Sequence, residues 1–135
     1  MSDREPFNTV LELCDFIRER SFELHCYLRH GHLEKVYENG LAHRLRKHGL
    51  RVEQQYGLRV LDEDGTELGA YKADLYLAWP LIIEIKACEN LNESHTAQVL
   101  GYLRASRIEH GLLINFGSPK LQVKKLALMH DYPGH

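Results

Sequence analysis

Apolar residues recur every three to four positions from about Thr9 to Arg29, at Val10, Leu13, Cys14, Ile17, Phe22, Leu24 and Leu28. Charged residues separate them, and the period is that of a helix. Gly31 interrupts, and a second helical pattern runs through Leu33, Val36, Tyr37, Leu41 and Leu45. Gly49 follows Lys47 and His48, which is a good C-terminal stop. The first third is therefore a pair of helices, or one long helix broken near Gly31.

The period then changes to two. Val52, Gln54, Tyr56, Leu58 and Val60 alternate with charged or polar residues, as in a half-buried strand. Asp62 to Gly65 predicts a hairpin turn, with Asp64-Gly65 as its positive-φ pair. A second strand is expected from about Glu67 to Ala78, a short turn at Trp79-Pro80, and a third strand from Leu81 to Ala87. Asn90 to Ser94 offers N-cap candidates for a helix reaching about Arg107. Gly111 to Phe116 is a short apolar run that fits a buried strand, and Leu121 to Leu128 could add one more. The tail from His130 is expected to fray. The order α-α-β-β-β-α-β(-β) is an α/β arrangement, a mixed sheet with helices packed against it.

Length and composition narrow this only slightly. The 135 residues suit a single domain, 1–135, and 44% hydrophobic with 27% charged residues is ordinary for a globular chain. No stretch approaches the ~18–20 apolar residues of a membrane span, so no membrane partner is expected. The first ten residues lack the basic and apolar regions of a signal peptide. Three widely spaced cysteines, Cys14, Cys26 and Cys88, predict reduced thiols in a cytoplasmic protein. A net charge of −2 excludes a nonspecific polybasic binder but not nucleic acid. Cations still cluster locally, at Arg44, Arg46, Lys47 and Arg51, at Arg104 and Arg107, and at Lys120, Lys124 and Lys125.

The run Leu81-Ile82-Ile83-Glu84-Ile85-Lys86 is anomalous. A strand so apolar should be buried on both faces, yet it carries a carboxylate and an ammonium on the same face. A buried charge must be paired, metal-bound or turned into a cleft. A structural Glu–Lys pair at a sheet edge would satisfy that. Asp74, ten residues earlier, changes the picture. A hairpin centred on Trp79 sets position 74 opposite position 84, with side chains about 5 Å apart. Two juxtaposed carboxylates repel, and a divalent cation with hard oxygen ligands resolves the repulsion; Mg²⁺ suits such a set. Lys86 beside them would orient an attacking water or stabilise charge developing on a phosphate.

Asp74, nine intervening residues and Glu84-Ile85-Lys86 resemble the D-x(n)-(D/E)-x-K signature of the PD-(D/E)XK nuclease superfamily. Gly31-His32-Leu33-Glu34-Lys35-Val36-Tyr37 is similar to the motif of the GxxExxY proteins, a small bacterial group within it. Gln98-Val99-Leu100-Gly101-Tyr102 resembles the QxxxY motif of RecB-like nucleases, and Gly111 to Gly117 looks like the group's closing strand. The resemblance covers about residues 12–128 and implies a restriction-endonuclease-like core. It implies that Asp74, Glu84 and Lys86 are catalytic and that Asp74, Glu84, the Ile85 carbonyl and Glu34 hold the metal. Gln98, Tyr102 and Tyr37 would support the site or bind substrate. The implied cofactor is Mg²⁺, with Mn²⁺ able to substitute, and the implied partner is nucleic acid, DNA first. A homodimer or larger complex is compatible with so short a chain.

The sequence departs from the motif at Lys72-Ala73-Asp74, where no Pro precedes the acid. Three unsuitably spaced cysteines exclude the four-cysteine iron–sulfur cluster of some RecB-like relatives. His25, Cys26, His30 and His32 straddle a helix end, which argues for surface or packed histidines rather than zinc. His25 lies one short segment from Glu34, within reach of the site. Cys88 shares the face of Lys86 without an activating base, and His95 precedes Gln98 on one helix side as a candidate phosphate contact. Two functions from different classes follow. One is an Mg²⁺-dependent nuclease, alone or within a larger complex; the other is a nucleic-acid-binding or regulatory module that kept the fold and lost turnover.

Overall fold

The computed structural model describes residues 7–128. Its elements are α1 (Val10–Leu28), α2 (Glu34–Lys47), β1 (Glu53–Leu61), β2 (Glu67–Leu77), β3 (Leu81–Lys86), α3 (Glu93–Ser106), β4 (His110–Asn115) and β5 (Gln122–Ala127). The anticipated order holds, and the last strand is present. The tail from His130 lies outside the described residues.

Side-chain caps set the starts of α1 and α3. Thr9 Oγ1 accepts the Glu12 N–H at 3.1 Å at the head of α1, and the Glu12 carboxylate accepts the Asn8 N–H at 2.9 Å. The helix ends at Arg29, whose φ is 62° and whose N–H returns to the His25 carbonyl at 2.8 Å. The two helices are thus separate, and the break begins two residues before Gly31. Asn92 caps α3 by accepting from Ser94 and His95, while His95 Nδ1 takes the Asn92 N–H at 3.2 Å.

The five strands form one sheet in the order β1-β2-β3-β4-β5. All neighbours are antiparallel except β3 and β4, which α3 joins as a crossover. The β1–β2 turn departs from the expected Asp64-Gly65 pair. Gly65 alone in it has positive φ, 89°, its N–H bonds to the Asp62 carbonyl at 2.9 Å, and Asp62 N–H bonds to Thr66 O at 2.8 Å. This is a three-residue loop with glycine in the left-handed position.

Two cores flank the sheet. Leu13 and Ile17 of α1 and Tyr37, Leu41 and Leu45 of α2 meet Leu81, Ile83, Ile85, Leu112, Ile114 and Phe116 on one side. Val99 and Leu103 of α3 meet Ile82 and Leu113 on the other. Burial on both faces explains why β3 reads as a continuous apolar run. The outer strands do not keep their faces. Leu75 and Leu77 pack with the α1–α2 core, but Ala73 packs with the α3 core. The same exchange separates Val52, just before β1, from Leu58 within it, so the single alternating face expected from Val52 to Val60 is corrected. The change falls at Gln55, whose φ is 53°, and at Asp74 across from it.

Candidate active site

The acidic site is built where β2 leaves β3. Their ladder runs from Leu77↔Leu81 to Leu75↔Ile83, so one further step would set Asp74 against Glu84. At that step the pairing stops. Asp74 Oδ2 instead accepts the Ile85 N–H at 2.7 Å, replacing a ladder bond with a side-chain bond. On its other edge β2 pairs through Gln54↔Leu75 and Tyr56↔Ala73, skipping the position between. The kink at Gln55 turns its amide to donate to Asp74 Oδ1 at 3.3 Å and to Glu38 Oε1 at 2.7 Å. Asp74 is therefore fixed from both sides.

Glu84 follows Ile82 by two and so lies on the α3 side of the sheet. It is 7% exposed, and its Oε1 is buried without a hydrogen-bond partner among the described residues. Burial first, and then the Asp74 carboxylate as charge and hydrogen-bonding neighbour, push its carboxyl up to about 9. Lys86 pulls the other way, and the charge of Glu34 adds to the rise. A second buried carboxylate offers a control. Glu38, 3% exposed, accepts from Lys35 at 3.1 Å and from Gln54 and Gln55 at 2.7 Å each. The fold satisfies Glu38 and leaves Glu84 short.

Lys86, half-buried, donates to Gln98 Oε1 at 3.4 Å across the gap to α3. One turn further along α3, Tyr102 stacks on Tyr71 of β2 with ring centroids 3.7 Å apart. Burial chiefly, and then the charges of Glu84 and Asp74, raise the Tyr102 hydroxyl above its ordinary value. Gln98 thus reaches Lys86 of β3, whereas Tyr102 packs on β2. The Ile85 side chain belongs to the opposite core, so only its backbone is available to the site.

Other expected residues stand further off. Glu34 is exposed in the first turn of α2, and among the described residues no three His, Cys, Asp or Glu side chains gather around one ion-sized space. Tyr37 is fully buried. Its hydroxyl donates to the Arg29 carbonyl and accepts the His32 N–H at 3.2 Å, and its ring stacks on Phe116 at 4.8 Å. Burial removes substrate contact and leaves Tyr37 the support of the α1–α2 turn. His25 bonds Ser118 O at 2.9 Å rather than reaching the carboxylates.

Three residues of this surround were not anticipated. Gln55 holds Asp74, Glu38 holds Gln55, and Asn115 ties down the chain just past Lys86. Asn115 Oδ1 accepts the Cys88 N–H at 3.0 Å, and its Nδ2 donates to the Cys88 carbonyl and to Gln122 Oε1, each at 2.9 Å. Available signals were a Glu one turn after Glu34 and an Asn closing an apolar strand. Gln55 had none, because its role arises from a backbone kink.

The fold resembles a solved structure described as the crystal structure of SSO0001. The TM-score is 0.54, over 88% of this chain and 79% of that one, at 17% identity, a likeness of fold alone. No curated protein matches the sequence. A sequence profile described as the PD-(D/E)XK nuclease superfamily matches residues 11–126. That span runs from α1 into β5 and takes in both carboxylates, the lysine and the strands that bring them together: the chain belongs to the PD-(D/E)XK nuclease superfamily.

Proposed function

We propose that this chain is a divalent-cation-dependent nuclease that hydrolyses phosphodiester bonds, of DNA first, and that it sits with the GxxExxY proteins and their RecB-like relatives. The observation that carries the reading is the buried, unpartnered oxygen of Glu84 beside Asp74. A domain that needed only stability would gain from an apolar residue there. Oxygen donors alone, two carboxylates and a backbone carbonyl, fit Mg²⁺, with Mn²⁺ as a substitute. Bound there, the cation supplies Lewis-acid polarisation of the phosphate and activates water.

The remaining work falls to this chain's own side chains. Asp74 and Glu84 would hold the cation, with the Ile85 carbonyl and Glu34 as further oxygen donors. Ile85 N–H and Gln55 aim the Asp74 oxygens. Lys86 orients the attacking water and balances the negative charge that builds on the phosphate oxygens. Gln98 steers the Lys86 ammonium. In hydrolysis the water oxygen bonds to phosphorus, the P–O3′ bond breaks, and the water's proton ends on the leaving oxygen.

Incubating the protein with single-stranded, duplex and branched DNA and with RNA, each with Mg²⁺, Mn²⁺ or EDTA, tests the reading. Cleavage with either cation and none with EDTA is expected. A protein that binds no divalent ion and cuts nothing would be a binding module built on a nuclease fold.

A further inference from the structure

One hollow lies away from the carboxylates. It encloses about 920 Å³ between the C-terminal half of α1 and the turn that joins β4 to β5. Arg18, Arg29 and Lys120 line it, all exposed, and none has an ion-pair partner among the described residues. The carboxylates of the same groove are occupied. Arg20 holds Glu19 at 3.3 Å and Glu23 at 2.9 Å, and Arg44 approaches Glu23 at 3.9 Å. The groove therefore has uncompensated positive charge in a chain whose net charge is −2. Its wall is apolar. Phe22, 57% exposed, lines the groove together with Leu121 and Val123. The His25–Ser118 bond fixes helix and turn against each other beneath it.

A second hollow, of about 400 Å³, shares Pro119 with the first and continues past His30, Gly117 and Ser118 to Glu89 and Asn90. Glu89 and Asn90 follow Lys86 by three and four positions. Adjoining at Pro119, the two hollows give a track from the loop after β3, where the Glu89 carboxylate stands at its edge, past the α1–α2 turn to the cationic groove.

We infer that this track holds a single polynucleotide strand, the continuation of the strand whose phosphate is cut. Unpaired cations beside an exposed aromatic ring are the pattern of single-strand binding, in which phosphates meet the charges and bases stack on the ring. A duplex keeps its bases paired inside and would offer nothing to Phe22, Leu121 and Val123. The inference takes the position of the scissile phosphate from the nuclease reading, but the groove's binding stands apart from turnover.

The test separates the two. Fluorescence anisotropy in EDTA measures binding of labelled single-stranded DNA, single-stranded RNA and duplex DNA to the full chain, across a salt series. The Arg18→Gln/Arg29→Gln/Lys120→Gln variant should bind single strands weakly and lose about 0.7 of salt slope for each phosphate contact removed. Phe22→Ala should weaken single strands by about 5- to 100-fold and duplex far less. Melting curves verify that both variants fold. Hydrolysis of bis(4-nitrophenyl) phosphate, too short to reach from the catalytic carboxylates into the groove, should be unchanged in both. Variants that bind single strands as the wild type does overturn the groove, whatever happens to cleavage. Equal loss of duplex and single-strand binding in Phe22→Ala overturns the single-strand assignment. Groove-dependent binding by a wild type that cleaves nothing upholds the groove and overturns the nuclease reading.

Discussion

At the scale of the residue, Glu84 carries the strain of the site. Its carboxyl, raised from 4.5 to about 9, has a consequence for stability whose sign is fixed. Below 4.5 the group is protonated in folded and unfolded chains alike and costs nothing. Between the two values the folded protein retains a proton that the unfolded chain releases. Stability of the cation-free protein should therefore fall as pH rises through that window, and Glu84→Gln should flatten the fall. Melting temperatures of both proteins across the window, in EDTA, check it; parallel curves would mean that Glu84 is not held protonated. Lys86 predicts a different pattern. Lys86→Ala removes a cation from beside the carboxylates, so divalent-ion affinity should hold or tighten while single-turnover cleavage falls ~10²–10³-fold. Affinity lost together with rate would make Lys86 a structural partner of the acids instead.

At the scale of the element, the site depends on where strands stop being regular. The turn at Trp79 and the register it sets as far as Leu75↔Ile83 were legible, because antiparallel register follows from turn position; the pairing of Asp74 with Glu84 was not, since the ladder stops there. The helix periods were legible too, since each helix has one core to face. The face exchange at Gln55 and Asp74 was not, because period two assumes an unbroken strand and the positive φ of Gln55 leaves no mark in composition. The close approach behind Lys86 was equally hidden. A Cβ at Gly117 would stand 2.4 Å from the backbone of Ala87 and Cys88. Gly117→Ala must displace the segment that Asn115 ties down, which should cost roughly 1–3 kcal/mol of stability and lower cleavage. Gly57→Ala in β1, where a Cβ meets nothing within 4 Å, should be close to neutral. Denaturant unfolding of the two variants compares them directly; equal stabilities would show that the β3 exit can yield.

At the scale of the whole molecule, two cores hold one sheet, and the candidate chemistry lies where strand pairing opens between them. The α1–α2 side supplies the Glu38–Gln55 support of Asp74, and the α3 side supplies Gln98 and Tyr102. A carboxylate pair placed there is a liability without a cation, and that is the central claim. Calorimetric titration of Mg²⁺ and Mn²⁺ into the wild-type protein and Asp74→Asn, with a melting curve for each, tests it most directly. The variant keeps the size and shape of the side chain and removes its charge. The wild type is expected to bind the cation, and Asp74→Asn, which gives up one of the two bonds that its oxygens accept from Gln55 and Ile85, is expected to fold and bind none. A wild type that takes up no cation, or an Asp74→Asn protein that binds it equally well, would contradict the claim.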